Sequence, residues 1–489
     1  MQKKDILGLL LAFFGIFGGI LLSTFSKRVR DIFFFIMIVM VPMTEDFDVN
    51  FVSRDFYRGT TRGIEFSLVD ILSISLLFSA LLSPRKGESR GYWPASFGLM
   101  LIFFAYACFN VGISDPHIFG FFELSKMIRG MLIFLAVAFY VRNPREVKLF
   151  LCALGCIICY EGYVALKQRV IYGMERVPGT VDDSNSLSVL LVTTVPLLVA
   201  AVNSNFPKAL KLLSGLAICA AGAAMVLTLS RMGIIILGLM LVVSTLMTMS
   251  YRFTSTKLIT TVLVLALVPA VLYKNWAGLK ARFATTDLKS EYGSGRTLGR
   301  GYYLREAKAI LDDKFFGVGL NNWSYCVSEK YGPMLGYKFV KYRGTDMDPS
   351  TVIPPGSNVD EAQAAPAHSL GALTAGELGY PGLFLFTLLW LRWFQMAVVF
   401  LGKRTTDPMR RIGVGILFGL CGLFLQSLTE WVFRHSPIYY MAHVLLGILA
   451  SLYYIRRREL RAAKLAETEA ATESASGQYA PGQPAFQHA

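Results

Sequence analysis

Val189-Leu-Leu-Val-Thr-Thr-Val-Pro-Leu-Leu-Val-Ala-Ala-Val202 carries no charge. With its flanks it is long enough to cross about 30 Å of hydrocarbon as a helix. Ile6 to Leu22, Ile234 to Met247 and Leu258 to Leu272 read the same way. A soluble core seldom needs so many such runs. The 489 residues are 54% hydrophobic and 17% charged, with a mean hydropathy of +0.50. That balance lies far from the soluble average, so the solvent for this chain is lipid.

Working outward from these runs gives about thirteen candidate spans. They lie near 5–24, 31–43, 67–83, 94–113, 124–142, 147–167, 185–203, 209–228, 232–250, 257–273, 380–401, 411–428 and 437–455. The Arg456-Arg457-Arg458 cluster sets one side as cytoplasmic. The connections at 84–92, 141–148, 203–211, 251–257 and 402–411 then fall inside, each with at least two Lys or Arg. The connections at 44–66, 114–125, 168–184, 274–366 and 429–436 face outward. Lys27, Arg28 and Arg30 conflict with Lys3 and Lys4 if both first segments cross, so one of the two is expected to be re-entrant or interfacial. No small-residue cleavage site follows Lys3 and Lys4 before Lys27, and the first segment is expected to stay.

The net charge of +15 does not indicate nucleic acid, because Lys and Arg fall in short runs between apolar segments. The seven cysteines sit mainly within apolar segments and form neither a disulfide framework nor a zinc pattern. Beyond 456 the composition turns to Ala, Glu, Arg and Lys and then to Ser, Gly, Gln and Pro, which predicts a disordered cytoplasmic tail over 457–489. The remaining divisions are N-terminal spans at 1–273, one large outer loop at 274–366, and a helix with C-terminal spans at 367–456. No internal repeat argues for the two-halved plan of secondary transporters.

The polar residues that resist a bland explanation share the outer face. Arg176 precedes Val-Pro-Gly-Thr-Val-Asp-Asp-Ser-Asn, where Asp183, Ser184 or Asn185 can cap the next helix. Arg176 itself is either a solvated or lipid-anchoring arginine or a substrate ligand. Thr228-Leu-Ser230-Arg231-Met-Gly places a permanent charge at the hydrocarbon boundary, where it either snorkels or binds phosphate through its planar fork. Arg300-Gly-Tyr-Tyr-Leu-Arg-Glu-Ala-Lys-Ala-Ile reads as a helix with Tyr303, Ala307 and Ile310 on one face. Gly317 and Gly319 at its exit suit a plain turn or a close backbone approach to a ligand.

Ala367-His368-Ser-Leu-Gly-Ala-Leu-Thr-Ala-Gly-Glu377-Leu-Gly reads as a helix of about three turns, bracketed by Pro366 and the Gly379 to Gly382 cluster. Gly371, Ala372, Ala375, Gly376 and Gly379 form a smooth stripe below His368, and Glu377 points the other way. The stripe serves close packing or the passage of a lipid-linked substrate. A histidine near a helix N-terminus faces the positive dipole end, which favours the neutral imidazole and so a base. Asp346 and Asp348 have an Asp-x-Asp look, at a spacing common by chance, and no metal or other cofactor is expected.

These stretches, in this order, resemble the O-antigen ligase and polymerase superfamily across roughly residues 60 to 450. Ser230-Arg231 matches its Ser-Arg turn and Arg300 the arginine before a helix with a Gly-x-Gly exit. His368 matches the histidine followed by Glu377 and Gly379. Met232 departs from the commonest glycine of that turn, and Leu304 stands where tryptophan is frequent. The resemblance implies an all-α polytopic fold of about twelve spans, GT-C-like, in the inner membrane with a periplasmic loop domain and site.

The implied reaction is an inverting transfer of a glycan from undecaprenyl diphosphate to lipid A-core. Arg231 and Arg300, with Arg176 as a weaker third, would hold the diphosphate. His368 would act as base or diphosphate ligand, with Glu377 and Ser230 in supporting places. The implied partners are the lipid-linked glycan, the lipid A-core acceptor and membrane lipids. A polysaccharide polymerase and a protein O-oligosaccharyltransferase share the skeleton. A transporter is the alternative outside the enzymes, disfavoured by the few charges within spans beyond Asp70 and Glu161.

Overall fold

The computed structural model describes residues 3–46, 48–54, 56–83, 92–249, 255–284, 300–339, 363–402 and 407–477. Asp346 and Asp348 lie outside these residues, as do most of the connections at 84–92 and 251–257. The described chain is almost wholly helical. Its one sheet is a two-stranded antiparallel hairpin, with β1 (Asp48–Phe51) paired to β2 (Ile64–Ser67).

Every expected apolar segment overlaps a helix for most of its length. The first half holds α1 (Lys3–Phe25), α2 (Lys27–Met40), α3 (Leu68–Leu82), α4 (Phe97–Ile113), α5 (His117–Tyr140) and α6 (Pro144–Val170). The second continues with α7 (Ser184–Asn203), α8 (Lys208–Thr228), α9 (Arg231–Thr248), α10 (Ser255–Lys274) and α11 (Trp276–Ala284). After the described gap come α12 (Arg300–Asp313), α13 (Leu370–Val398), α14 (Pro408–Ser427) and α15 (Ser436–Gly477). Among the described residues seven helices are long and apolar enough to cross a membrane: α6 to α9 and α13 to α15. At 14 residues, α2 measures about 21 Å and falls short of the hydrocarbon thickness.

The central helix is α7, apolar on every side and buried along nearly its whole length, as a helix inside a bundle must be. It packs on α8, α9 and α14. Gly415, Gly419 and Gly422 of α14 let the two backbones approach. A Cβ at Gly419 would stand 2.3 Å from the Thr193 carbonyl oxygen.

Two features differ from expectation. α15 runs on to Gly477 through the segment expected to be disordered, with an exposed surface beyond Arg457. Ala, Glu, Lys and Arg there have high helix propensity, and a helix continuing from a buried span needs no new nucleus. α13 is broken at Gly379, which takes φ 66° and ψ −168°. The break releases backbone groups that the connection after α12 satisfies: Val318 N donates to Gly376 O and Gly319 N to Glu377 O, both at 2.9 Å, and Tyr380 N donates to Phe315 O at 3.1 Å. Gly317 and Gly319 adopt positive φ in this joint, so they serve a backbone-to-backbone latch. The small-residue stripe is a packing surface: a Cβ at Gly376 would meet the Trp323 ring at 2.4 Å and Ile310 at 3.3 Å.

Candidate functional site

The loop bearing Arg176 is held from below. Glu161, buried in α6, accepts from Thr180 N at 3.0 Å and from the Thr180 hydroxyl. Gln168 bonds both the amide and the carbonyl of Gly179, at 2.9 and 2.8 Å. Asp183 is the helix cap, accepting from Asn185 N and Ser186 N at 2.9 and 3.0 Å. Asn185 Oδ1 is thereby left to take Arg176 Nη2 at 2.9 Å, while Arg176 Nε donates to Thr228 O at 3.2 Å. Arg176 thus clamps the turn that leads into Ser230 and Arg231.

In that turn Leu229 adopts a left-handed conformation, φ 51°. Ser230 N bonds Thr228 Oγ1, and the Ser230 hydroxyl meets Ser188 Oγ, each at 3.2 Å. Gln426 Nε2 reaches the same Ser188 oxygen at 3.2 Å. Arg231 opens α9 directly after this cluster and is half-buried.

The second group forms where α12, the start of α13 and the α14–α15 connection meet. His368 lies just before Ser369, the N-cap of α13, and so outside the helix rather than on its stripe. Its Nδ1 stands 3.0 Å from Glu430 Oε2. Arg300 Nη2 stands 3.7 Å from Glu430 Oε1. The rings of Tyr303 and Trp431 flank the imidazole at centroid distances of 5.8 and 6.0 Å. Between the two groups lies a narrow cleft lined by Asn185, Ser186, Glu430, Trp431 and His435, among others, with Arg176 and His368 bonded to members of its lining. Burial pushes the His435 imidazole down to about 4, with Asp183 opposing only in part, so it is neutral at pH 7.

Glu377 stands apart from this pocket, as its place opposite the stripe implied. It is buried and ion-paired to Arg434 Nη2. Arg434 Nη1 also meets Glu123 Oε1 at 3.2 Å, and Lys126 Nζ meets Glu123 Oε2 at 2.9 Å and Arg434 O at 2.8 Å. Burial alone would lower the Arg434 guanidinium, but Glu377 and Glu123 outweigh it and raise it above its ordinary value. One turn further along α5, Arg129 pairs with Asp70 and Glu65, both at 2.9 Å. α5 begins at His117, so Glu123, Lys126 and Arg129 all lie within it, whereas the span expected at 124–142 leaves Glu123 in the outer connection. A larger apolar groove, of about 640 Å³, lies along the same 430–435 segment. Met100, Phe103, Phe386 and Trp393 line it, with Glu123 and Arg434 among its few polar residues.

Sequence reasoning missed Glu430, Trp431, His435 and Arg434. Their only signal was the density of polar and aromatic residues in Thr429-Glu-Trp-Val-Phe-Arg-His435, a short connection between two spans.

Apolar spans around a rim of arginines, histidine and carboxylates define a multi-pass, all-helical membrane protein with a polar site at the helix ends. Residues 215–387 match the family model described as O-Antigen ligase. That segment of the chain is thus similar to the O-antigen ligase family, and it carries Ser230, Arg231, Arg300, His368 and Glu377. No curated protein matches the chain.

Proposed function

We propose that the chain is an O-antigen ligase, transferring a polysaccharide from undecaprenyl diphosphate to lipid A-core oligosaccharide at the periplasmic face of the inner membrane. The observation that carries this reading is the meeting of His368 and Arg300 at Glu430, beside the pocket that Arg176 approaches through Asn185. Residues 274–366 form the periplasmic loop in this reading.

The acceptor hydroxyl attacks the anomeric carbon from the face opposite the diphosphate, which leaves with inversion as the glycosidic bond forms. Negative charge grows on the departing oxygen. Arg231 and Arg300, with Arg176 as a weaker third, stabilise that charge through their guanidinium forks, and no metal ion is required. His368 takes the hydroxyl proton.

Reconstitution in liposomes with carrier-linked glycan and purified acceptors tests the reading. The expected product is glycan on lipid A-core, with turnover that persists in EDTA. Arg231→Ala, Arg300→Ala and His368→Ala each abolish transfer, by at least about 100-fold, while still inserting. Near-normal transfer by any one overturns its role, and a product formed only on a second carrier-linked repeat would make the chain a polymerase.

A further inference from the structure

We propose that Glu430 is the positioning residue of the transfer, orienting His368 and fixing which of its nitrogens is the base; this rests on the base role given to His368 above. A carboxylate can only accept a hydrogen bond. The 3.0 Å contact from Glu430 Oε2 therefore assigns the proton to Nδ1 and leaves the Nε2 lone pair to face the acceptor. Tyr303 and Trp431 both pack near the ring and limit its rotation.

Glu430 is itself anchored. Its amide donates to Gln426 O at 2.9 Å, and that of Thr429 to the same carbonyl at 3.0 Å, so the carboxylate projects from the rigid end of α14. Its side chain is only 10% exposed, which strengthens its field at the imidazole. Its second oxygen faces Arg300 at 3.7 Å. One carboxylate thus sets the spacing between the base and a diphosphate-binding cation. Among the described residues the charged or titratable groups at the imidazole are Glu430 from the α14–α15 connection and Tyr303 from α12, with Arg300 reached through the other Glu430 oxygen and His435 interacting with it electrostatically. Beyond Trp431 stands His435, which Asp183 and Asp182 face in turn.

In the step itself the acceptor O–H bond breaks and its proton goes to Nε2. The oxygen bonds the anomeric carbon, and the bond to the diphosphate breaks with its electron pair. The imidazolium so formed is stabilised by Glu430, which does not take up the proton.

The test uses the full chain in liposomes with polyprenyl-diphosphate-linked glycan and lipid A-core. Glu430→Gln is expected to lower kcat on the order of 100-fold with a much smaller change in donor KM. The acid limb of its pH–rate profile should move to lower pH, because the charge that favours the imidazolium is gone. Glu430→Asp should restore part of kcat and return the limb toward its original place.

Wild-type kcat and pH profile in Glu430→Gln overturn the proposal. So does a loss confined to KM with the profile unmoved, which would mean that the carboxylate serves Arg300 alone. If the Gln variant fails to fold, the pH limb of the Asp variant decides: an unmoved limb at wild-type kcat overturns the proposal, and a displaced limb with reduced kcat supports it. Normal transfer by His368→Ala would instead sink the base assignment, whatever Glu430 does, so the two failures are told apart.

Discussion

Glu306 shows what a single buried charge costs in this molecule. It lies on α12, fully buried, and neither carboxylate oxygen has a hydrogen-bond partner among the described residues. Burial pushes its carboxyl well above 4.5, and the nearby Tyr302 hydroxyl and Arg305 guanidinium draw it back only in part. Because the folded value lies above the unfolded one, the stability from this group is fully present below pH 4.5 and is lost as pH rises through the folded value. Glu306→Gln removes that loss. Its melting temperature should exceed wild type at pH 8 and by less at pH 5; an equal or lower value at pH 8 would refute the buried-charge account. At this scale the sequence was readable where chemistry is declared by residue type and neighbours. Arg176, Arg231, Arg300 and His368 stood out as polar residues expected at one face. Glu430 did not, since a lone acid in a short connection means little until a fold brings it to a histidine 62 positions earlier.

Among the elements, α13 decides most. Gly379 combines left-handed φ with a site where a Cβ would lie 2.1 Å from Phe315 O, so Gly379→Ala is both strained and obstructed. It should destabilise the protein by about 2 kcal/mol or more, read as a lower melting temperature in detergent. Gly371, exposed and with nothing within 4 Å of a Cβ, is the control, and its alanine variant should melt as wild type does. Equal melting of both variants would remove the latch from the account. The helices themselves were legible because an uncharged run of membrane length permits few other structures. The break was half legible, as a cluster of Gly and Pro. Its partner was not, because backbone hydrogen bonds from Val318 and Gly319 leave no mark on side-chain pattern.

Across the whole molecule, Arg434 ties three parts of the chain: α5 through Glu123, α13 through Glu377, and the connection that also carries Glu430. Arg434→Ala would leave two carboxylates buried against a single lysine, which should cost roughly 3–5 kcal/mol and sharply lower the yield of monodisperse protein. Replacing Glu377 by Gln in the same chain should recover part of that yield; no recovery would show that Arg434 acts by packing alone. Which spans neighbour which was not readable, since apolar faces of similar composition do not name their partners. The buried ion pairs that α5 makes with Glu65, Asp70 and Arg434 escaped notice for the same reason, their partners lying on distant segments.

The joint at Gly379 also governs how such a chain can vary. Its bonds run from main chain to main chain, so apart from Gly317, Gly319, Gly376 and Gly379 it constrains the lengths of 315–319 and 376–380 more than their residue types. A graft that exchanges the connection after α12 with that of a similar protein must therefore carry both stretches, or keep both spacings, because one inserted residue would break the register of donors and carbonyls that joins them.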